Sequence, residues 1–545
     1  MSEIKPKTSE TPLTNFAAAG PLSEMSTSED VSSQTSLADS TTTVAYERVN
    51  PRSEKTKTDH PQSAQPTQPT EYPETDLDQG LVGWDGQDDP QNPQNFSSAK
   101  KWTLLFLISA VTFVSPLASS MFSPAVSYVG KDLHIENGTL LSFTVSVYLL
   151  GYVAGPLLLA PLSEIYGRRI VLSGSNWFFF VWQIGCALST NVETLIVCRF
   201  LAGIGGSGPL TLGAGVIADL FPLERRGLAT SLWSLGPLIG PSIGPVAGGF
   251  MGETIGWRWI FWLLMILSGV VSLGIEFLNQ ETYAVVLIRR KTELLSKELG
   301  RADLRSVYEP KQIQDSLQTM LLRGLKRPLL LYVRSPIVLL LSTYLAIIYG
   351  FLYLFFTTIP SVFGNTYHWS TGISGLAYLG IGLGFLIGFV VQARTSDRII
   401  VKSIAQNNGK YQPEMRLPTM IFYACFIPAS FFWYGWSAEK EVFWIVPILG
   451  MVPFGFGLMG LYLPVQTYVI DSHLAYAASA NALLTMARSL VGALLPLAGP
   501  KLYAGLGLGW GNTLLGFVAL AFIPVPIIFT RYGQLIREKF PINLD

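Results

Sequence analysis

The sequence has few charged residues for its length. Asp, Glu, Lys and Arg make up 14% of its 545 residues, whereas soluble domains carry about 25%. The mean hydropathy is +0.38. This deficit excludes an ordinary soluble enzyme, a disordered regulator and a nucleic-acid-binding protein.

Cysteine and histidine are also scarce. The three cysteines, Cys186, Cys198 and Cys425, lie within apolar runs and predict neither a disulfide framework nor a metal site. The four histidines are scattered through the tail and the loops and form no catalytic group. The sequence contains no GxxxxGK[ST] motif, which argues against an ATP-driven pump. We expect no enzymatic activity, no cofactor and no metal.

The charges that are present are unevenly distributed. Residues 1–101 hold 8 basic and 16 acidic residues, and the rest of the chain holds 29 basic and 21 acidic. Residues 1–80 are rich in Ser, Thr, Pro, Gln and Glu, a composition typical of disorder, and show no signal-peptide pattern. The Asp-Pro and Asn-Pro steps that follow favour turns. We expect residues 1–101 to form a disordered, acidic cytoplasmic tail that ends in a pre-membrane turn segment.

Twelve apolar runs are long enough to cross a bilayer, which needs roughly 20 residues per helix. Six lie in residues 102–278 and six in residues 336–531, on either side of the polar stretch 279–335. The runs are 102–125, 139–160, 170–188, 195–217, 228–250, 259–278, 336–360, 372–393, 417–436, 443–466, 479–500 and 511–531. The pattern predicts an all-α membrane protein with twelve transmembrane helices in two six-helix halves. Residues 532–545 would form a short cytoplasmic tail.

The loop charges predict how the chain is oriented in the membrane. If the N-terminus is cytoplasmic, the loops and the C-terminal tail on that side hold 23 Lys and Arg residues, and the outer loops hold four. Positive charge is enriched on the cytoplasmic side of membrane proteins. We therefore expect both termini and the central loop to be cytoplasmic.

A charged pattern recurs at the cytoplasmic ends of spans 2 and 8, as two halves related by a repeat would require. The acid-then-base groups are 233 residues apart, and pairs between neighbouring helices there could latch one conformation. The candidate gate residues are Glu164, Arg168, Arg169, Asp219, Asp397 and Arg398. The alternative interpretation is ordinary positive charge on cytoplasmic loops.

Span 5 carries a ladder of small residues. Its members are Gly236, Gly240, Pro241, Gly244, Pro245, Gly248 and Gly249. Glycines four residues apart share one helix face and allow close backbone approach in a membrane, and the prolines bend the helix. Because Gly380, Gly384 and Gly388 form a similar face on span 8, we predict that spans 5 and 8 pack together between the halves. The alternative is ordinary glycine enrichment in membrane helices.

Three charged residues lie within the predicted spans, and buried charge in a membrane is costly. Arg199 in span 4 is a candidate for facing a central cavity, where it would change the proton affinity of a nearby group or bind an anion. Snorkelling or capping of backbone carbonyls is its structural alternative. The same two interpretations stay open for Arg488 in span 11, and Glu276 lies close to the membrane surface.

Aromatic residues suggest the character of the cavity. The candidate lining residues are Tyr148, Tyr152, Tyr344, Tyr349, Tyr353, Tyr378, Tyr462, Gln466, Tyr468 and Arg488. Aromatic walls with a few polar groups bind apolar ligands, although any one of these rings could instead face lipid or another helix. Spans 1, 2, 4, 5, 7, 8, 10 and 11 contain no carboxylate at mid-depth, which favours neutral, weakly charged or amphipathic cargo.

These motifs resemble those of the fungal drug:proton antiporters of the major facilitator superfamily, from residue 82 to about residue 535. The span 5 ladder resembles their antiporter motif, and residues 163–169 resemble the loop 2–3 motif, with Glu164 where many members have Asp. Arg199 to Gly203 matches the span 4 motif. Further similar segments are residues 84–93, 115–125, 281–283, 413–418 and 506–511.

The resemblance implies a major facilitator fold and alternating access driven by an inward proton gradient, with Arg199 in proton coupling. We expect an efflux transporter that exports hydrophobic or amphipathic toxic compounds and acts as a monomer in the plasma membrane. Its partners would be small molecules, protons and the lipid bilayer, without nucleic acid. One alternative is a dedicated exporter of a single secondary metabolite or organic acid, with Arg199 and Arg488 as anion ligands. A non-transporting nutrient receptor is another alternative. Such receptors usually carry long cytoplasmic extensions with signalling motifs, and the C-terminal tail of about 14 residues argues against this function.

Overall fold

The structure is a computed structural model that describes residues 72–308, 326, 329–407, 411–472 and 477–540. The side chains of a few residues inside helices are also left undescribed; they are residues 223, 224, 227, 231, 238, 397 and 477–479. The predicted tail up to residue 71, much of the predicted loop between 309 and 328, residues 541–545 and the side chain of Asp397 therefore lie outside the described residues.

The first half of the bundle consists of seven helices. They are α1 (Ser98–Met121), α2 (Val126–Asp132), α3 (Gly138–Tyr166), α4 (Arg168–Ala187), α5 (Val192–Leu220), α6 (Leu223–Thr254) and α7 (Arg258–Leu278). Long apolar runs become helices because each backbone polar group then finds a partner within its own segment. Polar caps satisfy the first amides: Asn137 accepts from Thr139 N at α3, and Asn191 accepts from Thr194 N at α5.

A small folded unit combines the segment before α1 with the segment between the two halves. It contains β1 (Leu81–Val82), β2 (Arg305–Ser306), which pairs in parallel with β1, and α8 (Ala284–Leu299). The prediction of residues 279–335 as a polar stretch missed α8. This helix is amphipathic and carries too many charges to form an apolar run, so a search for membrane spans passes over it.

Trp84 holds the pre-membrane segment to α8 and β2. Its side chain is 1% exposed and packs with Val82, Ile288 and Leu304. The indole nitrogen donates to the Tyr308 hydroxyl at 3.1 Å. The predicted turns around Trp84 are thus tied to the central loop, although the two are more than 200 residues apart in sequence.

The second half begins at α9, where Ser335 caps the first turn and Pro336 takes the first helical position. Its helices are α9 (Pro336–Thr366), α10 (Thr371–Leu376), α11 (Leu379–Gln406), α12 (Pro418–Ala424), α13 (Phe426–Glu439), α14 (Ile445–Ser472), α15 (Ala477–Leu494), α16 (Gly499–Ala521) and α17 (Pro524–Lys539). α16 bends at Gly507, whose φ of +73° favours glycine.

Each of the twelve predicted spans overlaps one or two of these helices. By length and composition alone, ten helical stretches of the described residues are apolar enough to cross a membrane. One of the ten, Ala480–Lys539, contains the last two predicted spans. α6 is not among the ten, because glycine and proline replace large aliphatic residues along much of it. The last predicted span, 511–531, is divided between α16 and α17.

The ends of the helices define two faces of the bundle. The basic face holds Ser98, Tyr166, Arg168 and Leu220, at the ends of α1, α3, α4 and α5, and the corresponding ends of the second half. The opposite face holds the other ends, from Met121 of α1 onward. Antiparallel helices joined by short connections require this alternation.

The glycine ladder of α6 packs against α1 and not against the ladder of span 8, which corrects the prediction. A methyl group added at Gly240 would lie 3.0 Å from Leu117 N, and one at Gly248 would overlap the Met121 carbonyl oxygen. Likewise Gly384 and Gly388 of α11 face α14. The period of the glycines fixes which residues share a face, but not which helix that face meets.

Spans 5 and 8 do contact each other, through Pro245 and Gly249 of the ladder and through Ser242. A methyl group added at Gly249 would lie 2.8 Å from Thr371 O, and one at Gly375 would lie 2.6 Å from Pro245 O. One at Gly382 would lie 2.8 Å from the Ser242 Cβ. The prediction that spans 5 and 8 pack together is therefore correct. The prediction that their two glycine faces meet is wrong.

We expect Gly248→Ala to disrupt the contact between α1 and α6 and to lower the amount of folded protein in the membrane. The new methyl group meets backbone at Met121, which cannot rotate away as a side chain can. Gly174→Ala is the matched control, since no atom lies within 4 Å of the added group. Equal thermal stability of the two purified variants would contradict this account of the ladder.

Candidate substrate cavity and gates

A cavity of about 700 Å³, including its open mouth, lies between the two halves near the middle of the helices. Its apolar lining residues are Pro116, Leu210, Pro237, Pro241, Leu352, Phe385, Phe389, Leu458, Met459 and Leu463. Its polar lining residues are Tyr152, Ser234, Tyr349, Tyr462 and Arg488. Both halves contribute, so the cavity would change shape if they moved relative to one another.

Four of the predicted lining residues lie in this cavity: Tyr152, Tyr349, Tyr462 and Arg488. Tyr148, Tyr344, Tyr353, Tyr378, Gln466 and Tyr468 do not line it. Tyr344 stacks on Phe522 at 5.5 Å, and the Gln466 side-chain amide donates to the Asn481 Oδ1 at 3.0 Å. Composition identified the residue types, but only the packing decides which face of a helix meets the cavity.

Ser115 and Ser119 lie four residues apart on one face of α1, and Ser123 follows just beyond the end of this helix. Within the first half, the Ser115 hydroxyl is hydrogen-bonded to the Tyr152 hydroxyl at 2.5 Å and to the Tyr148 hydroxyl at 3.1 Å. The two later serines reach the second half. Tyr353 of α9 donates to the Ser119 hydroxyl at 2.8 Å.

The last of these serines continues the contact between the halves. The Ser123 hydroxyl donates to the Phe356 carbonyl, to which Tyr378 also donates at 2.7 Å. Farther out, the Gly372 amide donates to the Glu253 carboxylate at 2.6 Å. These bonds join the halves between the cavity and the opposite face, and we call them the serine gate.

We expect Tyr353→Phe to loosen the serine gate, because one bond between the halves is lost while the ring is kept. A hydrogen bond contributes about 0.5–1.5 kcal/mol, so opening should rise roughly twofold to tenfold. Modification of a cysteine placed at Thr357, which is 8% exposed, measures this in purified protein. Cys425 is exposed and is first replaced by Ala. Unchanged modification rates would contradict the gate.

Arg199 is enclosed within the first half, which corrects the prediction that it faces the central cavity. It is 1% exposed, and its guanidinium donates to the Val145 carbonyl at 3.2 Å. The rings of Phe122, Tyr148 and Phe261 lie 4.6, 5.5 and 5.7 Å from its central carbon. Each ring contact contributes about 0.5–2 kcal/mol.

The environment of Arg199 connects it to the cavity indirectly. Its Nε has no hydrogen-bond partner, and no ion pair of Arg199 with a carboxylate is found in the described part of the chain. Tyr148, which contacts the guanidinium, shares Ser115 with Tyr152 of the cavity lining. The guanidinium thus contacts the Tyr148 ring, and two hydrogen bonds lead from the Tyr148 hydroxyl through Ser115 to Tyr152 in the cavity lining.

Glu281 organises the basic face of the first half. Its carboxylate accepts hydrogen bonds from the amides of Arg168, Arg169, Thr282 and Tyr283, at 2.8, 3.3, 3.0 and 3.0 Å. It thereby satisfies the free amides at the start of α4 and places a negative charge at the positive end of the helix. Gly167, with φ +100°, is required there because a Cβ would overlap the Glu281 carboxylate.

The predicted gate residues of the first half surround this cap. The Arg168 Nε lies 3.6 Å from the Asp219 carboxylate, and the Arg168 guanidinium donates to Ser163 at 2.5 Å. Arg168 also covers the Tyr283 ring at 4.5 Å. Burial first, and the nearby Glu164 carboxylate second, raise the pKa of Tyr283.

The other two predicted residues of this loop lie nearer solvent. The Arg169 guanidinium donates to the Glu276 carbonyl at 3.3 Å. Glu164 is exposed.

The second half has an equivalent network, and its described members are not among the six candidate gate residues named above. The Arg416 Nε donates to the Asp471 carboxylate at 2.6 Å, and Tyr411 donates to the same carboxylate oxygen at 2.5 Å. The Arg537 guanidinium donates to the buried Glu414 at 3.0 Å. Asp471 ends α14 as Asp219 ends α5.

The two residues predicted for the gate of the second half are not seen among the described members of this network. Arg398 is exposed on α11, and the side chain of Asp397 lies outside the described residues. Sequence spacing therefore located the first network, whereas the basic partner in the second half, Arg416, stands before span 9 rather than after span 8.

Residues 108–496 match the family model described as Major Facilitator Superfamily. The chain belongs to this superfamily. Among its relatives, the MFS transporter cpaT of Aspergillus oryzae is 47% identical over 494 residues, covering 91% of this chain and 98% of the relative. The MFS-type transporter penM of Penicillium rubens is 50% identical, with coverages of 86% and 91%. The efflux pump radE of Floropilus chiversii is 44% identical, with coverages of 86% and 88%.

A solved structure has the same fold. The partially occluded inward-open conformation of the xylose transporter XylE from E. coli is similar with a TM-score of 0.60. The similarity covers 80% of this chain and 98% of XylE at 17% identity. This chain is thus a multi-pass membrane transporter with the major facilitator fold, as the sequence motifs predicted.

The sequence did not identify several residues of the site as functional candidates. Glu281 was noted as part of a motif, but nothing in the sequence shows that it caps α4. The serines of α1 were noted likewise, and their spacing of four residues was the available signal for a shared face. The partners of both groups lie far away along the chain.

Proposed function

We propose that this chain is a proton-coupled efflux transporter that exports hydrophobic and amphipathic toxic compounds. The basic face and both termini lie in the cytoplasm, and the protein acts as a monomer in the plasma membrane. The excess of Lys and Arg on the basic face supports this orientation. A cavity built from one chain supports the monomer.

The observation that carries this proposal is the chemistry of the cavity. Prolines, leucines, phenylalanines and a methionine make up most of its lining, and the described lining holds no carboxylate. Such walls bind apolar molecules without strict geometry. The relative named as an efflux pump supports export as the direction of transport.

Transport proceeds by alternating access. The serine gate joins the halves on the side that faces the outside, so this conformation loads substrate from the cytoplasm. Rocking of the halves breaks the bonds of Ser119 and Ser123 to the second half and brings together the charged networks of the basic face. Bound substrate then reaches the outside.

Proton coupling is assigned to Arg199. A charge in a low-dielectric interior acts over several ångströms, and a positive charge disfavours a second one nearby. Its field reaches the cavity through Tyr148, Ser115 and Tyr152. The Arg199 charge thus opposes proton binding in the cavity while substrate is loaded. Substrate binding and proton binding are therefore separated.

Expression in a yeast strain that lacks its own pumps tests the proposed function. Growth and efflux are measured with unrelated toxic compounds, including neutral cycloheximide, with and without a protonophore. Protection against several compounds that the protonophore abolishes is the expected result. Efflux that persists after the gradient has collapsed would overturn proton coupling, and a correctly localised protein that protects against none would overturn broad export.

A dedicated exporter of one secondary metabolite or organic acid is the second candidate. The position of Arg488 in the cavity lining favours it. Strict competition by one acid, with none by lipophilic drugs, would distinguish this function from broad export.

A further inference from the structure

We propose that Arg488 binds an ionised acidic group, such as a carboxylate, on an otherwise apolar substrate. The cavity would then select amphipathic organic anions. This inference rests on the proposed export function and adds the chemical class of the cargo. It concerns binding alone and does not depend on how transport is driven.

Arg488 is a buried charge whose hydrogen-bonding capacity is partly unused. Its side chain lies on α15 and is 8% exposed, yet it lines the cavity. Among the described residues the Nε has no hydrogen-bond partner. A guanidinium presents five N–H donors in a planar fork that matches a carboxylate, so an acceptor in the cavity would satisfy it.

The groups around Arg488 leave its charge unneutralised. The rings of Tyr349 and Tyr462 each lie 5.1 Å from its central carbon. Its electrostatic neighbours in the described part of the chain are tyrosines, and no ion pair with a carboxylate is found there. Ring contacts offset only part of the cost of burying a charge in a membrane protein.

The comparison with Arg199 shows that this arrangement is particular to Arg488. Arg199 is also buried and lacks a carboxylate partner, but three rings and the Val145 carbonyl enclose it, and it does not line the cavity. The sequence left both arginines open as anion ligands. Of these two arginines, Arg488 is the one that contacts the space that a substrate would occupy.

The rest of the lining defines the remainder of the ligand. Phe385, Phe389, Leu458 and Met459 form apolar walls, and the tyrosine hydroxyls add a few polar contacts. A substrate that matches both parts has an apolar or aromatic body and one acidic group.

Binding of a matched acid and amide to the purified, full-length protein tests this inference. Naphthalene-1-acetic acid and naphthalene-1-acetamide differ in charge and little in shape, and the acid is ionised at pH 7.5. We expect the acid to bind about tenfold to a hundredfold more tightly than the amide, as bonds to charged groups are stronger than neutral ones.

Variants separate the role of Arg488 from general packing. In Arg488→Gln the preference for the acid should disappear while amide binding is kept, and Arg488→Lys should keep a reduced preference. Arg258→Gln is the control, since Arg258 pairs with Asp132 away from the cavity. Equal binding of acid and amide by the unmodified protein, binding of neither, or an acid preference that survives in Arg488→Gln would each overturn the inference.

The two proposals fail separately. If cycloheximide efflux is sensitive to the protonophore but acid and amide bind equally, export stands and the anion site is wrong. If the acid is preferred through Arg488 but no gradient-dependent efflux occurs, the anion site stands and proton-coupled export is wrong.

Discussion

Arg199→Met is expected to abolish gradient-driven export while leaving a folded protein in the membrane. Methionine fills a similar volume and packs well against aromatic rings, and replacing a buried charge by an apolar side chain is often neutral or stabilising. The field on the Tyr148, Ser115 and Tyr152 hydroxyls is lost. Substrate efflux with and without a protonophore, normalised to protein at the membrane, measures the effect.

Arg258→Met is the matched control for Arg199. Arg258 lies at the start of α7, is 39% exposed in its side chain and forms an ion pair with Asp132. That bond lowers the pKa of Asp132, but exposed pairs contribute little to stability. Near-normal export is expected. Normal gradient-driven export by Arg199→Met would show that the enclosed charge has no part in coupling.

Glu281→Ala should destabilise the first half by about 3 kcal/mol or more. The carboxylate serves four backbone amides, and each buried donor left without a partner costs about 1–3 kcal/mol. The start of α4 and the position of Arg168 would be lost together. Thermal unfolding of the purified protein and the amount of protein at the membrane measure this effect.

Two further variants separate the effect of the Glu281 cap from the effect of changing a carboxylate in general. Glu281→Gln keeps an oxygen acceptor but loses the charge at the helix start, so an intermediate effect is expected. Glu276→Gln changes an exposed carboxylate that accepts from Ser173, and its effect should stay within about 0.5 kcal/mol. Equal stability of Glu281→Ala and Glu276→Gln would contradict the assigned cap.

The membrane architecture could be predicted from the sequence because it depends on local quantities. An apolar run of about 20 residues is sufficient for a span, and the count of loop charges sets the orientation expected for it. α8 escaped because its charges interrupt the apolar run, although its amphipathic pattern was readable. The bend of α16 at Gly507 escaped because the amides that follow it donate to Glu439, which lies on another helix.

The site could be predicted less well because it depends on which helix faces which. Tyr349 and Tyr344 are five residues apart on α9, yet one lines the cavity and the other stacks on Phe522. Arg199 and Arg488 looked alike in sequence. Only their surroundings in the structure show that Arg199 is enclosed and that a substrate can reach Arg488. The glycine ladder shows the same limit, since its period does not name α1 as its partner.

Uptake into inside-out membrane vesicles with an imposed pH gradient tests proton-coupled export most directly. In the proposed orientation the basic face then lies outside the vesicle, and an acidic lumen supplies the gradient. One pH unit corresponds to about tenfold accumulation per proton exchanged. We predict that an exported compound, such as the one against which protection is strongest, accumulates with an acidic lumen and is released when a protonophore is added. Equal accumulation with and without the gradient would contradict the account.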